Sequence, residues 1–400
     1  MSEQPYLLLP FLFLAACTTY PDSTQQSAAQ AQEPTVAKQE KASPAFQPPS
    51  NADAMQTSKP LGTVKGNLIP LVENFTPADT FTNAIEYADS LDSYSLLIWH
   101  QGALRLEQYY DGYDASLKPE TASMHKSVLA LVVAAAIEDG FISNANARIG
   151  NYIDAWKDLP EGDITVEQLL TMSSGLERLS GEGGSNSARL QFYTGQLDAR
   201  ATVLGLRLQN EPGANFYYAN TNSQLLGLLI EAATGQAYAE YLSKRVWQPI
   251  GADDAAVWYY EEDGFPRTYA SLLARARDWL KVGLLIKEKG VANNKQVIAA
   301  DLIDAMTSSS ANNPNYGWQV WLGNTHETKR YYNDLKVGIA IPAKESFSVN
   351  DMIYFDGFGG QRVYISKSED LVIVRTGNTR LDWDDSELPN MVLNILNKDR

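Results

Sequence analysis

Apolar residues fall into short blocks along this chain, and the spacing within each block predicts its element. Residues 128–137, Val-Leu-Ala-Leu-Val-Val-Ala-Ala-Ala-Ile, are apolar on every side and are followed by Glu138, Asp139 and Gly140. Alanine and leucine favour helix and a glycine stops it, so a helix is predicted here. A helix apolar all round lies inside something, and about ten residues are too few for a bilayer, which needs roughly 20; the surroundings are therefore a protein core. Residues 95–99 and 104–110 flank His100-Gln101-Gly102-Ala103 and predict two antiparallel strands and a turn. In the second, Leu104 and Leu106 alternate with Arg105, Glu107 and Tyr109, so one face is wetter. Thr165, with Gln168 three residues on, predicts a capped helix that Gly175 ends, and an amphipathic helix over 224–232 is stopped by Gly235. Residues 362–365 and 371–375 predict strands around the turn 366–370, and 388–397 a closing amphipathic helix. Strands at both ends and helices between them imply an α/β architecture: an antiparallel sheet covered by terminal helices, with a mostly helical domain inserted. The α/β part is expected at about 66–115 and 265–400 and the helical part at about 116–264, with the buried helix where they meet.

The start of the chain changes the picture. Residues 18 to about 62 are Gln, Ala, Ser, Thr and Pro with hardly any large apolar side chain, too little to offset the entropy of ordering. A disordered tether over 17–65 is predicted, with the folded domain at 66–400. Before it, Leu14-Ala15-Ala16-Cys17 directly follows an apolar run and resembles the lipobox of bacterial lipoproteins, cut after residue 16 and lipid-modified on Cys17. Met1-Ser2-Glu3-Gln4-Pro5 carries none of the positive charge usual in a signal peptide. An ordinary signal peptide with an incidental cysteine is the alternative. Thr18 is not the aspartate that commonly retains enteric lipoproteins at the inner membrane, so the expected location is the bacterial cell envelope, anchored to the outer membrane and facing the periplasm.

Across 400 residues, 44% hydrophobic content supplies ample core, and a net charge of −16 argues against nucleic acid or an anionic membrane surface as partner. One cysteine rules out an internal disulfide; three histidines and no H-E-x-x-H leave little for a metal. Neither metal nor cofactor is expected.

The candidate chemistry lies just ahead of the buried helix, in Ser123-Met124-His125-Lys126. Residues three apart share a helix face, and both burial and the positive end of the helix dipole disfavour the lysine ammonium. That lysine becomes able to take a proton from the serine hydroxyl, a route to a nucleophile without histidine. Roughly one S-x-x-K arises by chance in such a chain, so its setting carries the argument rather than its spacing. Tyr218-Ala219-Asn220 puts a phenol and an amide at a helix start where packing needs neither. Tyr331-Tyr332-Asn333 has the same spacing in a polar, surface-like stretch, and context favours the first. No G-x-S-x-G is present, which removes a Ser-His-Asp hydrolase of that type.

Ser123-Met124-His125-Lys126, the leucine-rich 169–176, Tyr218-Ala219-Asn220 and Gly357-Phe358-Gly359-Gly360-Gln361 follow one another in an order that resembles the serine beta-lactamase and penicillin-binding-protein superfamily. The pattern is most similar to its class C and esterase-like branch and, through residues 274–279 and 316–321, to the 6-aminohexanoate-dimer hydrolase group. The resemblance implies a beta-lactamase/transpeptidase-like fold, Ser123 as nucleophile, and Lys126 and Tyr218 as proton-transfer partners. The lysine ammonium is expected to lower the tyrosine's pKa. Asn220 would orient Lys126 or bind the substrate amide. Gly359 and Gly360 would let substrate approach, and the N–H of Gln361 with that of Ser123 would form an oxyanion hole. Phe358 stands where the superfamily's K-T-G lysine binds a substrate carboxylate, and Arg362 is placed too far away to replace it. The implied substrate is a small carboxylic ester or linear amide; a weak beta-lactamase or D-alanyl-D-alanine carboxypeptidase, and a non-catalytic binding lipoprotein, are the competing readings. Trp318, Trp321 and Trp383 are expected in the core before a cleft, and His100, His125 and His326 outside the chemistry, His125 on another helix face than Ser123.

Overall fold

A computed structural model describes residues 61–179, 188, 191–192, 197–260 and 264–398; the expected signal peptide, Cys17 and residues 17–60 of the tether lie outside them, as do the polar residues 181–187. In chain order the elements are β1 (Leu61–Val64), α1 (Thr82–Ser90), β2 (Ser93–His100), β3 (Ala103–Tyr109), α2 (His125–Glu138), α3 (Val166–Leu170) and α4 (Asn220–Thr234). There follow β4 (Ala255–Trp258), β5 (Leu272–Leu273), α5 (Ala276–Lys287), the ribbon β6 (Val291–Ala292) and β7 (Lys295–Gln296), and β8 (Trp321–Leu322). The chain closes with β9 (Lys329–Tyr331), β10 (Ala340–Pro342), β11 (Ile353–Gly357), β12 (Gln361–Ser366), β13 (Leu371–Gly377) and α6 (Glu387–Lys398).

The central sheet has six antiparallel strands in the order β3-β2-β13-β12-β11-β8. Strand alternation sorts its side chains into two cores. From β2, Leu96 and Ile98 join Phe81, Ala84, Leu388 and Val392 of the terminal helices; Leu97 and Trp99 join Val282 and Leu285 of α5 on the other face. Both faces are covered, which is why β2 and β13 read as continuous apolar runs and are buried throughout. The expected α/β class, an antiparallel sheet with terminal helices and a helical insertion, is borne out. Within the insertion α2 is buried from His125 to Ala136 and packs on α4.

Three expectations change. Residues 61–64, assigned to the tether, form β1 and pair with β4 from Leu61–Trp258 to Val64–Ala255. Only alternate side chains of that strand are buried, so so short a segment carries little signal. The same pairing puts a strand at 255–258, inside the stretch expected to be helical. The helix capped by Thr165 forms with both capping-box bonds, but it ends at Leu170 rather than at Gly175. Met172 turns to φ 58° and its carbonyl accepts the Tyr217 N–H at 2.8 Å, which draws the chain towards the Tyr218 segment.

Candidate active site

Ser123 sits in a single 3-10 turn, Ala122–Met124, that runs directly into α2 and puts Lys126 in its first helical turn. Ala122 adopts φ 49° and its N–H donates to Glu120 Oε1 at 2.7 Å. Three more non-glycine residues with positive φ border this region: Met172, Ser271 and Gln319. Each such conformation costs about 1–3 kcal/mol and persists where its surroundings over-determine it. Gln319 illustrates how: its side chain accepts from Ser223 Oγ at 2.6 Å and donates to the Leu170 carbonyl at 2.8 Å, while its own carbonyl accepts from Ser127 Oγ at 2.9 Å. One residue thereby joins α2, α4 and the end of α3 beneath the site.

The Lys126 ammonium reaches three acceptors: Ser123 Oγ at 3.0 Å, Asn220 Oδ1 at 2.8 Å and the Tyr269 carbonyl at 2.7 Å. It lies 4.9 Å from the centroid of the Tyr218 ring. Asn220 opens α4, and Tyr218, two residues earlier, is carried to the same place. All three acceptors are uncharged, so burial dominates and holds the Lys126 pKa well below its ordinary value, with Asp356 pulling weakly the other way. Burial also pushes the Tyr218 phenol well above its usual value, helped by Tyr316 and Asp356 and opposed by a hydrogen bond with Ser123. The expectation that the ammonium would lower the Tyr218 pKa is thus overturned: removing a phenolate from water outweighs a cation that is itself disfavoured. The resting pair combines a weakly held lysine proton with a firmly held tyrosine proton, beside one serine hydroxyl.

Residues 81–393 match the Beta-lactamase family. The chain belongs to the beta-lactamase family. Protein flp of Staphylococcus aureus (strain COL) is 27% identical over 168 residues, covering 39% of this chain and 33% of flp. The 6-aminohexanoate-dimer hydrolase of Paenarthrobacter ureafaciens is 23% identical over 227 residues, 54% of this chain and 57% of that one. The chain thus spans between a third and little over half of these curated relatives. Among solved structures, a candidate 6-aminohexanoate-dimer hydrolase from Bacillus anthracis superposes with a TM-score of 0.70 at 21% identity, over 87% of this chain and 92% of the other.

In this beta-lactamase-family chain the third motif is displaced from its expected use. Gly357, the last residue of β11, meets the turn that carries Ser123: a Cβ there would lie 2.2 Å from the Thr121 carbonyl oxygen. Gly359 and Gly360 instead form the β11–β12 turn with φ 78° and 89°, where added Cβ atoms would strike Thr379 and Trp383. Gln361 lies on β12, fully buried, its amide bonded at both ends to Gly377: Nε2 to the carbonyl at 2.7 Å, and Oε1 from the N–H at 2.9 Å. These three positions therefore shape the turn and lock neighbouring strands.

The second Tyr-x-Asn, Tyr331-Tyr332-Asn333, is partly exposed as expected, but its middle residue reaches the site. Tyr332 packs its ring 5.1 Å from that of Tyr218, accepts the Tyr218 N–H on its carbonyl at 3.0 Å, and donates its hydroxyl to Asp356 Oδ2 at 2.7 Å. Trp321 stacks on Tyr218 at 5.9 Å, and Trp318 and Trp383 are core residues. His125 points away from Ser123, bonded to the Ala270 carbonyl and Tyr238 Oη. Asp356 gave one local signal, a lone acid closing the apolar run Ile353-Tyr354-Phe355.

Proposed function

We propose that the protein is a serine hydrolase that cleaves a carboxylic ester or small linear amide through an acyl-enzyme on Ser123. The observation that carries this is the 3.0 Å contact of Lys126 Nζ with Ser123 Oγ in a cluster of uncharged acceptors. Neutral Lys126 takes the hydroxyl proton as Oγ bonds to the acyl carbon. The bond to the leaving group breaks as that group takes the Tyr218 proton, and Tyr218 recovers one from the Lys126 ammonium. Water then attacks the acyl carbon, gives its proton to Lys126, and Oγ departs with a proton. Oxyanion donors from the Ser123 N–H and the main chain at the end of β11 would each lower the barrier by about 3 kcal/mol.

Arg330 and Arg362, which converge on Asp356 of β11, are already engaged by Asp356 and Asp385. This supports a substrate without a fixed carboxylate beside the scissile bond. Family membership favours a second reading, a weak beta-lactamase or D-alanyl-D-alanine carboxypeptidase. Leu14-Ala15-Ala16-Cys17 and the polar tract after it support a lipid anchor on Cys17 and a place in the bacterial cell envelope, at the outer membrane.

The test is intact-protein mass after incubation with a fluorophosphonate probe, alongside p-nitrophenyl butyrate hydrolysis. One adduct on the native protein, none on Ser123→Ala, and a loss of turnover of about a thousandfold or more in that variant are expected. Undiminished hydrolysis by Ser123→Ala would end the assignment.

A further inference from the structure

Two adjacent residues of β11 touch opposite sides of the site. Gly357 lies against the Thr121 carbonyl, two residues before Ser123. Asp356 reaches the Tyr218 side through Tyr332, whose hydroxyl it holds at 2.7 Å. Tyr332 in turn contacts Tyr218 twice, through the ring and through the 3.0 Å bond from the Tyr218 N–H, and Tyr217 bridges to Asn333. Asp356 is itself immobilised, bonded to Arg330 at 3.1 and 3.2 Å and to Arg362 at 2.7 Å, in a cluster that Asp385 completes. Arg330 also lies 4.2 Å from the Trp321 ring that stacks on Tyr218.

Resting on the hydrolase reading above, we infer that β11 acts as a caliper: Gly357 and Asp356 set the spacing between Ser123 and Tyr218, and Tyr332 is the positioning residue that transmits it. Tyr332 handles no proton of the reaction. Its hydroxyl fixes the ring against which the Tyr218 phenol is aimed, and a phenol mis-aimed by a fraction of an ångström delivers its proton to the leaving group less often.

Tyr332→Phe removes that hydroxyl alone and leaves the ring, the main-chain acceptor and both arginines on Asp356. The experiment is a double-mutant cycle with Tyr218→Phe on the full chain, with ethyl butyrate as substrate and acid release as the readout, because an alkoxide leaving group must take a proton to depart. Rates are normalised to the fraction of Ser123 that a fluorophosphonate labels, so that only folded sites are counted. In the native background Tyr332→Phe should lower kcat about tenfold with KM unchanged, and in the Tyr218→Phe background it should lower it no further. An unchanged kcat, or the same loss in both backgrounds, would overturn the positioning role while leaving the hydrolase assignment intact. Native protein that neither labels nor turns over would instead remove the hydrolase reading on which the caliper depends.

Discussion

Lys126 and Arg362 are two cations removed from water almost equally, at 1% and 0% exposure, yet their surroundings push them in opposite directions. Arg362 donates to Asp385 and two main-chain carbonyls and ion-pairs with Asp356, and those carboxylates hold its charge more firmly than water would. Lys126 has a hydroxyl, an amide and one carbonyl, none of them charged, and its ammonium is disfavoured. Burial alone therefore does not make a base. The charge of the partner decides whether a buried cation becomes an inert brace or a group ready to exchange a proton.

The comparison is broken most severely at its reactive end. Lys126→Met should lower kcat by about a thousandfold, within the range of a lost general base, while urea unfolding shows a loss of only about 1–3 kcal/mol from the Asn220 and Tyr269 acceptors left without their donor. At the other end the balance reverses. Asp385→Asn leaves Arg330 and Arg362 sharing one carboxylate and should cost about 3–5 kcal/mol in the same urea assay, with a smaller change in turnover per folded site. A third variant turns one environment into the other. Asn220→Asp places a carboxylate 2.8 Å from Lys126 Nζ, so the ammonium is favoured and its pKa rises. A base must be deprotonated to act; the rising limb of the pH–rate profile should move upward by about 1–3 units, and a limb that stays put would show that Lys126 is not the base.

The reactive end was the more legible in sequence. Ser123 and Lys126 lie within one helical turn, so their distance along the chain is close to their distance in space, and Tyr218 and Asn220 are fixed by the start of α4. The fold class was legible for the same reason: each strand and helix shows its own period. The brace was not. Asp356, Arg330 and Asp385 come from three separate segments, and Arg330 in Lys329-Arg330-Tyr331 reads as an ordinary surface charge although it is the residue that draws the β9–β10 hairpin inward. Tyr332, beside it, reads as part of the same polar stretch. The third motif was found, but which of its glycines faces Ser123 depends on where the hairpin turns, and side chains change face with every residue of register. Gly357 ends the strand, so the two glycines beyond it fall in the turn.

The pairing of β2 with β13 bears on when the protein becomes competent. Ser95 and Thr376 hydrogen-bond at 2.7 Å across 281 positions of sequence, so β2, ahead of Ser123, must wait for a strand near the other end of the chain. Such non-local pairing is slow, because the loop must be closed before its contacts contribute. During synthesis Ser123, Lys126 and Tyr218 all emerge well before β11 to β13. A nascent chain thus holds Ser123, Lys126 and Tyr218 without the sheet strands that later align them.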